Sequence, residues 1–102
     1  MAQTFYERIY ALLKQVPKGK VTTYKALANA AGTSAYRAVG TAMNKNPYAP
    51  IVPCHRVVNS NGRIGGFANG TDKKVAILKK EGVFVKDGRI VDFNKILFNK
   101  FK

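Results

Sequence analysis

Cys54 is the only cysteine of the chain and His55 the only histidine, and the two are neighbours within Pro53-Cys54-His55-Arg56-Val57-Val58. A thiolate is the reactive form of cysteine and a nearby base favours it, so this pair is a candidate nucleophile with its base. The same two residues also fit a small buried hydrophobe beside a surface imidazole, since free cysteine is among the most buried residue types. Side chains that are adjacent in an extended segment point to opposite faces. A proton passing from Cys54 to His55 therefore needs either a bend at Pro53 or a relaying water.

The elements that must position this pair read as short helices separated by strong stops. Phe5, Ile9, Leu12, Leu13 and Val16 fall at helical spacing, and Thr4 with Glu7 forms a capping box, so a helix is expected over Phe5 to Val16, stopped by Pro17-Lys18-Gly19. Thr22 or Thr23 caps a second helix, Tyr24 to Ala31, which Gly32 closes. Thr33-Ser34 opens a third, near Ala35 to Asn44, with Arg37, Thr41, Asn44 and Lys45 facing outward. Two short helices joined by a tight Gly-containing turn make a helix-turn-helix pattern. The small Ala38, Gly40 and Ala42 with one long Arg37 suit a helix pressed to a minor groove better than a major-groove reader.

After the proline-punctuated loop Asn46 to Pro50, Val57-Val58 reads as a buried strand. Asn59-Ser60-Asn61-Gly62 reads as a hairpin turn, and Arg63-Ile64 as the return strand of a wing. A last long helix is expected over Lys73 to Lys80 with Thr71 or Asp72 as its cap and Gly82 closing it. A second hairpin over Val83 to Val91 turns at Asp87-Gly88, and the tail from Asp92 onward reads as a further helix packed on the domain. The fold class expected is mostly α with small β hairpins, a winged-helix-like helix-turn-helix domain.

With 102 residues the chain is read as one domain over positions 1–102. No run of about 18 apolar residues is present, so no membrane helix is expected. A lone cysteine forms no internal disulfide, which fits a reducing compartment. Eighteen Lys and Arg against five Asp and Glu give a net charge of +13. Such a surface attracts polyanions, nucleic acid first among them. No stretch combines basic residues with a bulky aromatic helix face, which argues against an anionic membrane as the partner.

The stretch Arg37-Ala38-Val39-Gly40-Thr41-Ala42-Met43-Asn44-Lys45-Asn46-Pro47, followed by Pro53-Cys54-His55-Arg56-Val57-Val58, resembles the active-site region of the O6-alkylguanine-DNA alkyltransferases. The likeness runs from about Phe5 to Gly82, and its Pro-Cys-His-Arg core is specific to that family and its non-catalytic relatives. The resemblance implies a catalytic series of Cys54, a water, His55 and Glu81. Asn46 would order the turn near the site, and Tyr24 would help rotate the nucleotide and donate toward the purine. It also implies double-stranded DNA containing O6-alkylguanine as the partner. Arg37 would fill the gap left by an extruded nucleotide, and Thr23, Ala35, Ala38, Thr41, Lys45, Arg56 and Ser60 would contact DNA. Met43, Val57, Phe67 and Ala68 would wall the base pocket. Met43 and Phe67 fit plain core equally well, and Asn46 fits an ordinary Asn-Pro turn starter.

The reaction so implied is displacement of an alkyl group from O6 of a flipped-out guanine onto Cys54, once per molecule, with no metal or organic cofactor. Two features depart from the family pattern near the site: Ala49 stands where many members have proline, and Ala68 where many have a serine that bonds the substrate oxygen. The usual N-terminal domain is also missing, so the chain is expected to be the DNA-binding and active-site domain alone, a cytoplasmic, DNA-associated monomer. The compact length resembles the alkyltransferase-like proteins, which bind and flip alkylated guanine and recruit nucleotide-excision repair proteins without removing the alkyl group. They mostly carry Trp at the position of Cys54; this chain has no Trp, which favours transfer. A Cys-His hydrolase would leave the +13 charge unexplained.

Overall fold

The computed structural model describes residues 4–48, 51–65 and 70–102. α1 (Phe5–Leu13) starts at the expected capping box: Thr4 Oγ1 accepts the Glu7 amide at 3.1 Å and Glu7 Oε1 accepts the Thr4 amide at 3.3 Å. It ends before Val16, because the amides of Gln15 and Val16 bond to the carbonyls of Leu12 and Leu13, the tighter spacing of a helix end. Val16 is buried nonetheless.

β1 (Thr22–Thr23) leads directly into α2 (Tyr24–Ala30), capped by Thr23 Oγ1, which accepts the Ala26 amide at 3.0 Å. The turn to α3 (Tyr36–Asn44) is a Schellman motif. The Thr33 amide reaches back to the Ala28 carbonyl and the Gly32 amide to the Asn29 carbonyl, both at 3.0 Å, with Gly32 at φ +75°. This confirms the helix-turn-helix unit. α1, α2 and α3 bury Ile9, Leu12, Leu13, Leu27, Ala28, Val39 and Ala42 against one another, and Tyr10 Oη donates to the Ala42 carbonyl at 2.8 Å, tying α1 to α3.

β2 (Val57–Val58) does not form the expected hairpin with Arg63-Ile64. It pairs in parallel with β1, Thr22 opposite Val57 and Thr23 opposite Val58. The Asn59–Gly62 turn does form, with the Gly62 amide on the Asn59 carbonyl at 2.9 Å, but it sends Arg63 to an antiparallel bridge with Arg89. Because strand neighbours face opposite ways, Val57 enters the helical cluster while Val58 enters a second one with Val21, Ile64, Leu78, Val83 and Ile90.

α4 (Thr71–Lys80) begins earlier than expected, with Gly70 rather than Thr71 or Asp72 at its N-cap. It closes on a second Schellman motif. The Val83 amide bonds to the Leu78 carbonyl at 2.9 Å and the Gly82 amide to the Lys79 carbonyl at 3.0 Å, while buried Val83 and Leu78 share one cluster. The expected second hairpin is present as β3 (Val85–Lys86) and β4 (Arg89–Ile90); positive φ at both Asp87 and Gly88 marks a type I′ turn. Only the first turn of the tail is helical, α5 (Phe93–Ile96). Beyond it the chain runs extended beside Val21, whose amide bonds to the Ile96 carbonyl and whose carbonyl accepts from Phe98.

Gly82 sits at φ +86°, where a Cβ is strained although no neighbour would meet it. Gly82→Ala is expected to lower unfolding free energy by about 1–2 kcal/mol in urea titration.

Candidate active site and nucleic-acid face

Pro53 bends the chain into the site. At φ −82° and ψ +70° it forms an inverse γ-turn, closed by the Cys54 amide on the Val52 carbonyl at 2.9 Å. Cys54–Arg56 then makes one 3₁₀ turn, not the extended run that would place Cys54 and His55 on opposite faces, and the Arg56 amide bonds to the Pro53 carbonyl at 2.9 Å. Asn46, just past the end of α3, pins the approach. Its Nδ2 donates to the Val52 carbonyl at 2.8 Å and its Oδ1 accepts the Tyr48 amide at 2.9 Å. The Val52 carbonyl thus serves two donors, and the sequence signal Asn-Pro becomes a clamp on the residue before Pro53.

Cys54 is 8% exposed and lines the helical cluster, whereas His55 is 3% exposed and turns to Glu81. His55 Nε2 lies 3.1 Å from Glu81 Oε2. Burial pulls the imidazole below its usual range and outweighs the hydrogen bond and charge of Glu81, which act upward. Glu81 experiences the converse balance: burial pushes its carboxyl up, but the bonds from Arg56 and His55 carry it below the usual carboxylate value. A neutral ring facing an acceptor-only carboxylate carries its proton on Nε2. Nδ1 is left as the basic nitrogen. The contact is a hydrogen bond to a neutral imidazole, and the charge on Glu81 is balanced elsewhere.

It is balanced by Arg56. Nε donates to Glu81 Oε1 at 2.9 Å and Nη2 to Oε2 at 2.6 Å, the two-pronged grip of guanidinium on carboxylate. Nη1 reaches the Val16 carbonyl at 2.8 Å. Arg56, expected at the DNA face, directs these three bonds inward to Glu81 and Val16. Thr23 is buried, its hydroxyl capping α2.

Tyr24 opens α2 half-buried, and burial, then the neighbouring Cys54, holds its phenol above the usual range, in the protonated form. Beside it lies a cleft of about 260 Å³ lined by Tyr24, Lys25, Tyr36, Asn59 and Ser60. Met43 lies in the helical core with Cys54, and Val57 is buried with its carbonyl bonded to Lys74 Nζ at 2.6 Å. Phe67 and Ala68 fall outside the described residues.

Ala35, Arg37, Thr41, Lys45 and Ser60 are exposed and Ala38 half-exposed, on or beside the outer face of α3. α3 starts at Ala35 with no side-chain cap, and Thr41 Oγ1 donates back to the Arg37 carbonyl at 3.1 Å. Lys74 was missed by sequence reasoning. It is fully buried. The available signal was its place on α4, where Lys74, Leu78 and Glu81 recur at helical spacing on one face.

Among the described residues no group of His, Cys, Asp and Glu is arranged to hold a metal, and no helix is long and apolar enough to cross a membrane. Stability should fall with acid in one direction. The folded protein binds fewer protons than the unfolded chain as pH drops from 6.5, for His55, and from 4.5, for Glu81, so each contribution is present above that value and lost as pH falls through the lowered folded one. Urea midpoints measured from pH 7 downward should decline continuously, and Arg56→Met should flatten the Glu81 part.

The family described as 6-O-methylguanine DNA methyltransferase, DNA binding domain, matches residues 4–83. A methylated-DNA–protein-cysteine methyltransferase of Methanosarcina acetivorans is 47% identical over 79 residues, 76% of this chain and 51% of that protein. A bifunctional methyltransferase/endonuclease of Picrophilus torridus is 40% identical over 94% of this chain but only 32% of its own length. Against the solved O6-methylguanine-DNA methyltransferase of Pyrococcus kodakaraensis the TM-score is 0.73 at 47% identity, covering 80% of this chain and 48% of that one. S. pombe Atl1, solved with damaged DNA containing O6-carboxymethylguanine, gives a TM-score of 0.80 at 28% identity over 97% of this chain and all 100% of that one. The chain therefore spans about half the length of the methyltransferases it resembles.

Proposed function

Given that this chain belongs to the family of 6-O-methylguanine DNA methyltransferase DNA-binding domains, we propose that it repairs DNA by taking an alkyl group from O6 of guanine onto Cys54, each molecule acting once. The observation that carries this reading is the 3₁₀ turn at Cys54, whose next residue is a neutral imidazole hydrogen-bonded to the Glu81 carboxylate. Cys54 gives its proton toward His55 Nδ1, directly or through a water. Sγ then attacks the alkyl carbon as the carbon–O6 bond breaks, and the guanine leaves with the bonding pair. Tyr24, held protonated, donates at N3 of the departing base and regains a proton from solvent. The target base must leave the duplex stack, because its O6 substituent is out of the thiol's reach inside the helix.

Binding rests on the net charge of +13 and on the exposed face of α3. At the start of α3 the amides of Tyr36 and Ala38 bond to the carbonyls of Ser34 and Ala35, and the exposed Arg37 would enter the stack. Affinity should fall more than about 100-fold between ~50 and ~200 mM salt, with little dependence on sequence around the lesion. Fluorescence anisotropy with labelled duplexes measures this.

A second reading is kept alive by the end-to-end match to S. pombe Atl1. Here the protein binds the flipped lesion and passes it to nucleotide-excision repair proteins without transfer. Intact mass after incubation with a duplex carrying one O6-methylguanine separates the two. Transfer predicts the gain of one methyl group on the peptide holding Cys54 and none in Cys54→Ser, with His55→Gln slowing the reaction by about 10²–10⁴-fold. Tight lesion binding with no gain in mass selects the sensor. Neither binding nor gain would reject both.

A further inference from the structure

The extended tail beyond α5 turns its two faces to different neighbours. Leu97, Asn99 and Phe101 line a cleft of about 530 Å³ against the outer side of α2, whereas Phe98, Lys100 and Lys102 line a second one with Gln15. The tail is fixed at several points. Val21 bonds to the Ile96 carbonyl and accepts from the Phe98 amide, and the Gln15 side chain exchanges two bonds with the Lys102 backbone at 2.8 and 3.1 Å. Phe98 and Phe101 meet edge to face and pack on the helical cluster. The matched family domain ends at residue 83, so the wall that the tail adds to α2 lies outside it.

The lining of the first cleft has one chemical character. Lys25, Asn29, Ser60 and Asn99 supply its exposed polar groups, and none of these four side chains is hydrogen-bonded among the described residues. Ala26, Leu97 and Phe101 are part of its apolar remainder, and the Thr23 hydroxyl is taken up by the cap of α2. The five acids of the chain, Glu7, Asp72, Glu81, Asp87 and Asp92, all stand outside it. A lysine, a hydroxyl and two amides, with no carboxylate, are side chains that hold the phosphate and sugar oxygens of a nucleic-acid backbone. Lys25 and Ser60 also line the smaller cleft beside Tyr24, so the two clefts meet at these residues.

We propose that this cleft carries the sugar-phosphate backbone of DNA flanking the lesion, the strand that leaves the cleft beside Tyr24 running between α2 and the tail. The tail then adds a second DNA contact to the face of α3. The inference rests on the DNA-binding half of the proposed function and not on alkyl transfer. The probe is an undamaged duplex two helical turns long. In amide correlation NMR spectra of the isotope-labelled protein, its addition is expected to shift the side-chain amide signals of Asn29 and Asn99 together with the backbone signals of Arg37 and Thr41 on α3. Movement on α3 with both asparagines unmoved overturns the proposal and leaves DNA binding standing. No movement at either place rejects DNA binding, and the proposal with it.

A charge reversal at the tail supplies the second measurement. Asn99→Asp sets a carboxylate against the phosphates and is expected to weaken duplex binding about fivefold in fluorescence anisotropy, and Asn99→Lys to strengthen it by a similar factor. Asn94 is exposed on α5 and is not part of the cleft lining. The same two substitutions there are expected to change affinity less than about twofold, because a charge away from the phosphates is screened. All four variants are checked for native unfolding transitions. Equal effects at the two positions would mean that net charge alone matters and would overturn the proposal.

Discussion

The carboxylate of Glu81 is the charge around which the site is assembled. It is only 8% exposed and lies at the C-terminal end of α4, where the helix dipole is negative and disfavours an anion. It is tolerable there because both oxygens are occupied, by Arg56 Nε on one side and by Arg56 Nη2 and His55 Nε2 on the other. Arg56 reaches on to the Val16 carbonyl, so one guanidinium joins the end of α1, the Cys54 turn and the cap of α4. Removing one partner of such a pair typically costs about 3–5 kcal/mol, because the other charge stays buried. The two cationic residue types divide the work. Arg56 neutralises the carboxylate, which lets His55 remain an uncharged ring with a free basic nitrogen.

The turn itself is held from several directions, and none of them depends on a substrate. Pro53 fixes the entry angle, Asn46 grips the Val52 carbonyl, and the β1–β2 ladder holds the exit. Val57 and Val58 anchor that exit in different clusters. In the proposed transfer, a nucleophile placed this way would not need to be organised by the incoming base, and a preset geometry is worth several kcal/mol to a displacement reaction.

Much of this was legible in the sequence because it is local. Thr4 with Glu7, Thr23, Gly32, Gly82 and Asp87-Gly88 act within a few residues of themselves, and each caps or turns as its chemistry dictates. Asn46 and Glu81 were legible only through the resemblance, and the structure brings Glu81 to His55 and Asn46 to the Val52 carbonyl ahead of Cys54. What escaped is non-local. Nothing near Val57 announces a parallel partner at Thr22, and an Asn-Gly turn after two valines is the ordinary sign of a hairpin. Arg56 was expected at a DNA face and nothing in the sequence singled out Lys74, because such residues usually are exposed. Their burial depends on a carboxylate and a carbonyl supplied by distant parts of the chain.

Gly40 bears on the face proposed to meet DNA. A glycine inside a helix costs about 1 kcal/mol relative to alanine. A close neighbour within the protein would justify that cost, but a Cβ at Gly40 would meet nothing within 4 Å. The side chains one helical turn from it on α3 are Tyr36, Arg37 and Asn44, which are exposed, and Met43, which is buried. Between Arg37 and Lys45 the outward residues Ala38 and Thr41 are small, Thr41 with its hydroxyl folded back onto the helix. Packing within the chain does not require that shape. The proposed docking of α3 against a groove would use it, the small residues letting the backbone come close.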